Sequence, residues 1–320
     1  MLSKRVGLYG RRVTTPAPDT VRGLLADFRR HLMATNRAPG TVHRYLVDVE
    51  ILADFLDAES LPTRAAEITR AHLEQWLVYL ASKPSRRGGT LSAATVARTY
   101  RSVQQFFRWL VDEEEIATDP FAKMRPPAIP EQPVPIITDA ELRRLLDACK
   151  GNTFEARRDN AILRVLLDTG IRASELAGIE LDDLDFELDV VRVMGKGRRG
   201  RAAPFGVKTG DALRRYLRSR AQHPHAAVSA LWLGVRGPMT PSGISQMIGR
   251  RGTDAGIDGL HPHRFRHTFA HRWLAAGNQE QDLMRLTGWR SREMVGRYAA
   301  SAADQRAREA HRRAGLGDDL

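Results

Sequence analysis

A run of prolines divides the chain into two segments of different character. Proline fixes φ at about −65° and lacks the backbone N–H, so a proline-rich stretch favours an extended linker. Between Thr118 and Pro135 the six prolines are Pro120, Pro126, Pro127, Pro130, Pro133 and Pro135. The sequence therefore predicts a flexible basic arm over residues 1–18, a helical domain over 19–117, a linker over 118–136, a second domain over 137–300 and a C-terminal tail over 301–320.

The segment before the linker has a helical pattern throughout. Apolar residues recur at helical spacing in four stretches, which begin at Asp19, Thr41, Thr69 and Ser92. Four short helices predict a small bundle. Basic residues on the polar faces could follow a DNA backbone or could form an ordinary solvated surface; they are His43, Arg44, Arg98, Arg101 and Arg108.

The segment after the linker mixes helices and strands. Thr138 and Glu141 have the spacing of a capping box at a helix start, and several amphipathic helical patterns follow. Residues 190–194 alternate as a strand does, and residues 201–205 resemble a returning strand after a glycine-bearing turn. The fold class expected is therefore multidomain and mainly α with a small β-sheet: an N-terminal four-helix domain followed by an α+β domain.

The composition indicates a polyanionic partner and excludes a membrane span. The chain has 50 Lys and Arg against 38 Asp and Glu, a formal net charge of +12, which suits nucleic acid but also serves simple solubility. No stretch of about eighteen apolar residues is present, and the N-terminus lacks the apolar region of a signal peptide. The single cysteine, Cys149, falls in an amphipathic helical pattern, which fits a reducing cytoplasm.

Arg172 lies at a predicted helix start, two residues after a glycine. Gly170 permits a tight turn, and the N-terminus of a helix favours anions, so Arg172 is placed to hold a phosphate. A surface arginine beside an ordinary helix start is the alternative. Glu175, three residues later, could orient an active-site arginine or histidine.

Lys196 lies in the turn between the two predicted strands. The sequence Gly195-Lys196-Gly197 puts a flexible ammonium at a hairpin tip, where it could protonate a leaving alkoxide or simply face solvent. It is not a phosphate-cradling loop, because the GxxxxGK[ST] pattern is absent.

His263 and His267 are four residues apart and share a helix face. This spacing allows a zinc interpretation. The sequence has no HExxH motif and no acidic third ligand nearby, and Arg266 would place a positive charge beside the metal. A phosphate-binding cluster accommodates that arginine.

Tyr298 is the candidate nucleophile. A phenol has a pKa of about 10 and needs a neighbouring base or cations to react, and a lone tyrosine near a helix end usually packs in a core. Together with the arginines, lysine and histidines upstream, however, it indicates phosphoryl transfer onto tyrosine. Since no nucleotide-binding loop is found, the substrate expected is a DNA phosphodiester.

In this order the segments resemble those of the tyrosine recombinases, or phage integrase family, which includes the Xer, Cre and lambda integrase proteins. The family pattern is an arginine box, a hairpin lysine, HxLRH, a Gly-His or Gly-Trp pair and a final tyrosine. The corresponding residues here are Arg172, Lys196, His263, Arg266, Trp289 after Gly288, and Tyr298. Phe265 replaces the usual leucine. Trp289 replaces a frequent histidine, and its indole N–H can donate a hydrogen bond but cannot accept a proton.

The resemblance implies a fold, a reaction and a partner. The N-terminal segment would be a SAM-like core-binding domain, and the second domain would be catalytic. Tyr298 would attack the phosphate, forming a 3′-phosphotyrosyl bond and releasing a 5′-hydroxyl. The implied partners are double-stranded DNA and further copies of the chain, in a tetramer on two sites. The covalent bond conserves the phosphodiester energy, so no cofactor, ATP or metal, is expected.

The resemblance also implies a role for each residue. Arg172 and Arg266 would hold the non-bridging oxygens, with His263 and Trp289 assisting. Lys196 would be the acid for the leaving oxygen, and His263 would accept the proton of Tyr298. Glu175 and His267 would support the residues in contact with the phosphate.

Two other functions share parts of this pattern. A type IB topoisomerase uses the same chemistry, but the linker and the small helical domain favour recombination. A catalytically silent DNA-binding protein would not need the full residue set. About twenty residues precede the first predicted helix, too few for the arm-binding domain of lambda-type integrases, which favours a simpler Xer-like recombinase.

The C-terminal tail is predicted to be helical over residues 302–314. Its charged and alanine-rich composition offers little apolar surface for packing on its own domain. It could be a frayed terminus, or it could dock on a neighbouring subunit with Leu316 and Leu320 as anchors.

Overall fold

The structure is a computed structural model that describes residues 17–85, 88–130, 134–195, 199–289 and 291–315. The chain divides into two compact units, of which the first ends at Glu131 and the second begins at Gln132. The expected basic arm before Ala17 lies outside the described residues. None of the described helices is long and apolar enough to cross a bilayer.

The first unit is the predicted four-helix bundle. Its helices are α1 (Leu25–Ala34), α2 (Pro39–Ala58), α3 (Arg70–Ser82) and α4 (Ala93–Asp112). Ser92 caps α4, since its hydroxyl accepts the Thr95 N–H at 3.3 Å. Aromatic side chains fill the core, with Phe28, Trp76, Tyr100, Phe106 and Phe107 fully buried.

The first helix begins later than its apolar pattern indicates. Asp19 was expected to cap it, but residues 21–24 form turns and α1 begins at Leu25. The Val21 N–H donates to the Thr63 carbonyl at 2.9 Å, which ties this segment to a neighbouring loop instead of to a helical turn. The pattern was misleading because Val21 and Leu24 are buried in the same core although both precede α1.

Four of the predicted basic positions of this unit are exposed and one is not. His43, Arg44, Arg101 and Arg108 lie at the surface. Arg98 is half-buried and pairs with the buried Asp48, Nη1 to Oδ2 at 3.3 Å. An arginine engaged in this way serves the packing of α4 against α2.

The second unit surrounds a short antiparallel sheet with helices. Its sheet has the order β1 (Leu184–Asp185), β2 (Val190–Gly195), β3 (Arg199–Pro204), and β2 and β3 pair with Val193 opposite Arg201. A second pair consists of β4 (Leu233–Gly234) and β5 (Gly237–Pro238). The helices are α5 (Asp139–Asp147), α6 (Phe154–Thr169), α7 (Ala173–Ala177), α8 (Val207–Arg220), α9 (Pro241–Asp254), α10 (Pro262–Ala275), α11 (Glu280–Thr287) and α12 (Arg292–Ala314).

The mainly α fold with a small β-sheet is confirmed, and the capping box at Thr138 is present, with the Glu141 carboxylate accepting the Thr138 N–H at 2.7 Å. The strands β1, β4 and β5 have two residues each, too short to show a pattern in the sequence.

The last helix is continuous where two separate helices were expected. α12 runs from Arg292 to Ala314 and ends at Gly315, whose φ is +53°. Residues 299–303 are alanines and one serine, and these extend a helix readily because they lose little side-chain entropy. The proposed anchors Leu316 and Leu320 lie outside the described residues.

Candidate active site

Helix α10 forms the centre of the site. Pro262 occupies its first turn, which suits proline because that N–H has no helical partner. The segment that enters α5 fixes its other face: the Ile137 N–H donates to the Thr268 hydroxyl at 2.8 Å, and Arg264 Nη2 donates to the Ile136 carbonyl at 3.2 Å. Helix α10 therefore presents its histidines and Arg266 from a rigid support.

Arg266 is a buried arginine that joins two turns of the site. Its side chain donates to the Gly170 carbonyl at 2.7 Å and to the Thr287 carbonyl at 2.6 Å, and the guanidinium lies 5.1 Å from the Trp289 ring centroid. Burial, and then the nearby charge of Arg172, lower its pKa to about 10. The group remains protonated at neutral pH and so brings a desolvated positive charge to the site.

The turn at Gly170 requires glycine. Its φ is +58°, and a Cβ added there would lie 2.5 Å from a ring carbon of Phe269 on α10. Helix α6 can therefore end in the left-handed conformation and lie directly against α10. The turn places Arg172, two residues after Gly170, at the start of α7.

Arg172 and Glu175 form the capping interaction of α7. The Arg172 N–H donates to Glu175 Oε2 at 2.8 Å, and its Nη1 donates to Oε1 at 2.7 Å. Burial alone would raise the pKa of Glu175, but hydrogen bonds from Arg201 and from the Arg172 N–H outweigh it and lower that pKa to about 2. The carboxylate therefore stays ionised and holds Arg172, whose side chain is 35% exposed.

Tyr298 lies in a small apolar cluster made by α10, α11 and α12. The residue is 3% exposed, and its hydroxyl lies 2.5 Å from Nδ1 of His267. The ring of Trp289 stacks on it, with centroids 5.2 Å apart and an interplanar angle of 7°. Burial, and then the neighbouring His263, lower the pKa of His267 to about 4, so its neutral imidazole can accept the phenol's hydrogen bond.

The structure brings together most of the predicted site residues, namely Arg172, Glu175, Arg266, His267, Trp289 and Tyr298. One placement differs from expectation. His267 was expected to support the residues in contact with the phosphate, yet its Nδ1 contacts the Tyr298 hydroxyl directly. His263, the expected proton acceptor of Tyr298, lies one helical turn earlier on α10 and is exposed, with its ring 6.3 Å from that of His267. Lys196 lies outside the described residues.

Sequence reasoning missed Arg201. Its Nη1 and Nη2 donate to the two oxygens of Glu175 at 3.1 and 2.8 Å, and its Nε donates to the Leu286 carbonyl at 2.8 Å. One signal could have found it: in the alternating pattern of β3 it occupies an inward position, where a charged residue needs a buried partner.

Among the residues that the structure describes, no group of three or more His, Cys, Asp or Glu side chains is arranged to hold a metal ion. The spacing of His263 and His267 instead places one imidazole on the phenol and leaves the other exposed at the surface.

This fold and this arrangement are typical of the tyrosine recombinase class, enzymes that cut and rejoin DNA at specific sites. The sequence profile of the Phage integrase family matches residues 135–305, and that of the Phage integrase N-terminal SAM-like domain matches residues 25–114. The chain belongs to the phage integrase family.

Two curated relatives agree with this membership, and solved structures share the fold. The chain is 32% identical to tyrosine recombinase XerC of Corynebacterium glutamicum over 88% of each chain. It is 30% identical to XerC of Corynebacterium efficiens over 97% of this chain and 96% of the relative. In fold it is similar to the Tn1549 transposon integrase in complex with circular intermediate DNA, with a TM-score of 0.71, 24% identity and coverage of 89% of this chain and 98% of that one. It is also similar to a lambda integrase dimer bound to a core site, with a TM-score of 0.68, 16% identity and coverage of 88% and 95%.

Proposed function

We propose that Tyr298 is the nucleophile that cuts double-stranded DNA, forming a 3′-phosphotyrosyl bond and releasing a 5′-hydroxyl. The observation that carries this proposal is the hydroxyl of Tyr298, held by His267 beside the Arg266–Trp289 pair. Attack on phosphorus breaks the bond to the 5′-oxygen, and reversal by a second 5′-hydroxyl restores a phosphodiester. The bond energy is conserved in the tyrosyl ester.

The arginines supply the charge that the reaction needs. Negative charge spreads over the non-bridging oxygens in the transition state, and preorganised cations stabilise it. Arg266 is held by two carbonyls and Arg172 by Glu175, so neither side chain has to be ordered when DNA binds. Arg172 is the more exposed of the two, and we assign it the first contact with the phosphate.

We assign different roles to the two histidines, His263 and His267. With a pKa of about 4, His267 is a weak proton acceptor, and it holds the phenol in the free protein. We assign proton acceptance to His263, one helical turn earlier and exposed. Lys196, which falls between β2 and β3 in the sequence, is our candidate for the acid that protonates the leaving 5′-oxygen.

Assembly follows from the chemistry of strand exchange. Exchange needs four active tyrosines on two sites, so we propose a tetramer of this chain acting on DNA in the cytoplasm. Because α12 is continuous through Ala314, removal of the chain after Ser301 would disturb the helix of Tyr298 itself. Removal of residues 316–320 alone is the better test of tail docking: we expect single-site cleavage to persist and pairing of sites to weaken.

Suicide DNA substrates test the central proposal. With such DNA the protein should form an adduct that resists denaturant, and Tyr298→Phe should bind DNA equally but form none. Tyr79→Phe on α3 is the matched control and should form the adduct normally. An adduct persisting in Tyr298→Phe would contradict the assignment. Exchange between two marked sites, measured separately, distinguishes recombination from relaxation of supercoils.

A further inference from the structure

We infer that Arg201 is a positioning residue that sets the lysine-bearing hairpin against the arginine box and the Trp289 turn. The inference rests on the proposed function of Lys196 and Tyr298. It goes beyond that function because the guanidinium itself lies behind the residues that would contact the phosphate.

The first observation is the direction of the Arg201 side chain. Val193 and Arg201 are directly opposite each other in the β2–β3 ladder, and Val193 is buried while Arg201 is 14% exposed. Both side chains therefore point to the inner face of the hairpin. A charged group on this face has lost most of its water, so it must be matched by protein acceptors.

The second observation is the completeness of that match. Three nitrogens of one guanidinium reach three oxygens: Nη1 and Nη2 reach the two carboxylate oxygens of Glu175, and Nε reaches the Leu286 carbonyl. This bidentate geometry suits the planar fork of arginine and cannot be reproduced by the single ammonium of lysine. The three acceptor oxygens therefore require the planar shape of a guanidinium at position 201 as well as its positive charge.

The third observation is which residues accept these bonds. Glu175 also holds Arg172, through its backbone N–H and its Nη1. Leu286 precedes Thr287, whose carbonyl accepts from Arg266. The next residue, Gly288, has φ +69° and lies beside Arg201, since an added Cβ would be in ordinary contact with Nη1 at 3.5 Å. Arg201 thus joins β3 to the supports of both phosphate-binding arginines.

The consequence concerns Lys196. The strand β2 ends at Gly195 and β3 begins at Arg199, so Lys196 lies in the sequence between the ends of these two strands. Among the described residues, the Arg201 bonds are the side-chain hydrogen bonds that tie β3 to α7 and α11. Without them the hairpin can shift relative to Arg172, while the Arg172–Glu175 pair remains. A shift of this kind moves the leaving-group acid away from the phosphate and leaves the nucleophile in place.

DNA with a sulfur at the 5′-bridging position separates this role from a general structural one. A thiolate leaves without a proton, so defects in leaving-group protonation are rescued on this substrate. We expect Arg201→Lys to slow single-turnover cleavage of ordinary DNA by about 10²-fold, the lower end of what a positioned general acid contributes. We expect sulfur to restore most of that loss, as it should for Lys196→Ala.

Two further variants complete the test. Arg192→Lys is the matched control: Arg192 lies on β2 of the same hairpin and pairs with the carboxylate of Asp185, but is 61% exposed, and we expect normal rates on both substrates. Arg201→Gln, which keeps an amide donor without the charge, is used if Arg201→Lys melts below the assay temperature. Equal slowing on the two substrates, or normal cleavage of ordinary DNA by a folded Arg201 variant, would overturn the inference. Failure of the unsubstituted protein to form any adduct would instead overturn the proposed function.

Discussion

The interiors of the two units are stabilised by different kinds of buried side chain. Within the described chain, the first unit buries an aromatic-rich core and few polar side chains, namely Asp48, Thr99 and Ser102. The second unit buries several charged groups, namely Arg158, Asp159, Glu175, Arg220 and Arg266, whereas Asp48 is the one carboxylate among the buried polar residues just named for the first unit. Apolar packing depends mainly on area and volume, whereas a buried charge requires particular partners at particular distances. In the second unit, therefore, activity can depend on whether one buried charged group keeps its hydrogen-bond partners.

Two buried arginines of the second unit, Arg220 and Arg266, have partners in different places. Arg220 donates to the carbonyls of the loop before β4, including those of Leu231 and Val228 at 3.0 and 2.6 Å, and contacts none of the proposed site residues by these bonds. Arg266 donates to the carbonyls of Gly170 and Thr287, in the turns that precede Arg172 and Trp289. The same chemical group organises a loop in one place and the candidate active site in the other.

The largest effect we expect is on the stability of the first unit. Phe106→Ala removes a fully buried ring that contacts Phe28 and Trp109, and should lower the free energy of unfolding by about 3–5 kcal/mol. Denaturant unfolding of the full chain measures this loss. Cleavage of suicide DNA per folded molecule should change little at saturating DNA. A large loss of chemistry in the folded fraction would break the distinction between the two units.

The next effect is on chemistry in the second unit. Arg266→Lys keeps the charge but cannot reach both carbonyls in the same plane, so we expect cleavage to slow by about 10²–10³-fold, the range for loss of one preorganised electrostatic contact. Arg220→Lys is the matched control and should lower the melting temperature without slowing cleavage of the folded protein. Equal cleavage defects in the two variants would show that cleavage depends on any buried arginine of the second unit, and not specifically on the one in the candidate active site.

A smaller effect concerns pH. His267 has a pKa of about 4 in the folded protein against 6.5 ordinarily, so the unfolded chain binds its proton first as the solution is acidified. This histidine therefore lowers stability as the pH falls from about 6.5 to about 4, and adds no further loss below that range. In His267→Gln the unfolding free energy should depend less steeply on pH in this window. An unchanged slope would mean that His267 is not held neutral by its surroundings.

The smallest effect we expect is on the salt dependence of DNA binding by the first unit. Arg101 is exposed on α4, and if it contacts one phosphate, Arg101→Ala should reduce the slope of log K against log salt by about 0.9. Cleavage at saturating DNA should be unaffected. Arg70→Ala is the control, since Arg70 already pairs with Glu74 at 2.7 Å, and its slope should match the unsubstituted protein. Identical slopes for the unsubstituted protein, Arg101→Ala and Arg70→Ala would show that Arg101 does not contact a DNA phosphate.

Prediction from the sequence succeeded where a signal is local. Helical periodicity identified the four helices of the first unit, and the caps at Ser92 and Thr138 were placed correctly. The order of motifs identified the family. Periodicity placed the start of α1 too early, because Val21 and Leu24 are buried although both precede the helix, and periodicity reports burial in the same way for a turn and for a helix.

The sequence by itself determined the class of protein, the helical first unit and the candidates Arg172, Arg266 and Tyr298, because residue type and order carry that information. Only the tertiary structure decided that His267 contacts the phenol while His263 is exposed, and that Arg201 joins Glu175 to Leu286. These contacts join residues that are 26 to 85 positions apart. Which of two neighbouring histidines reaches the tyrosine depends on the angle at which α12 packs on α10, and packing of whole helices sets that angle.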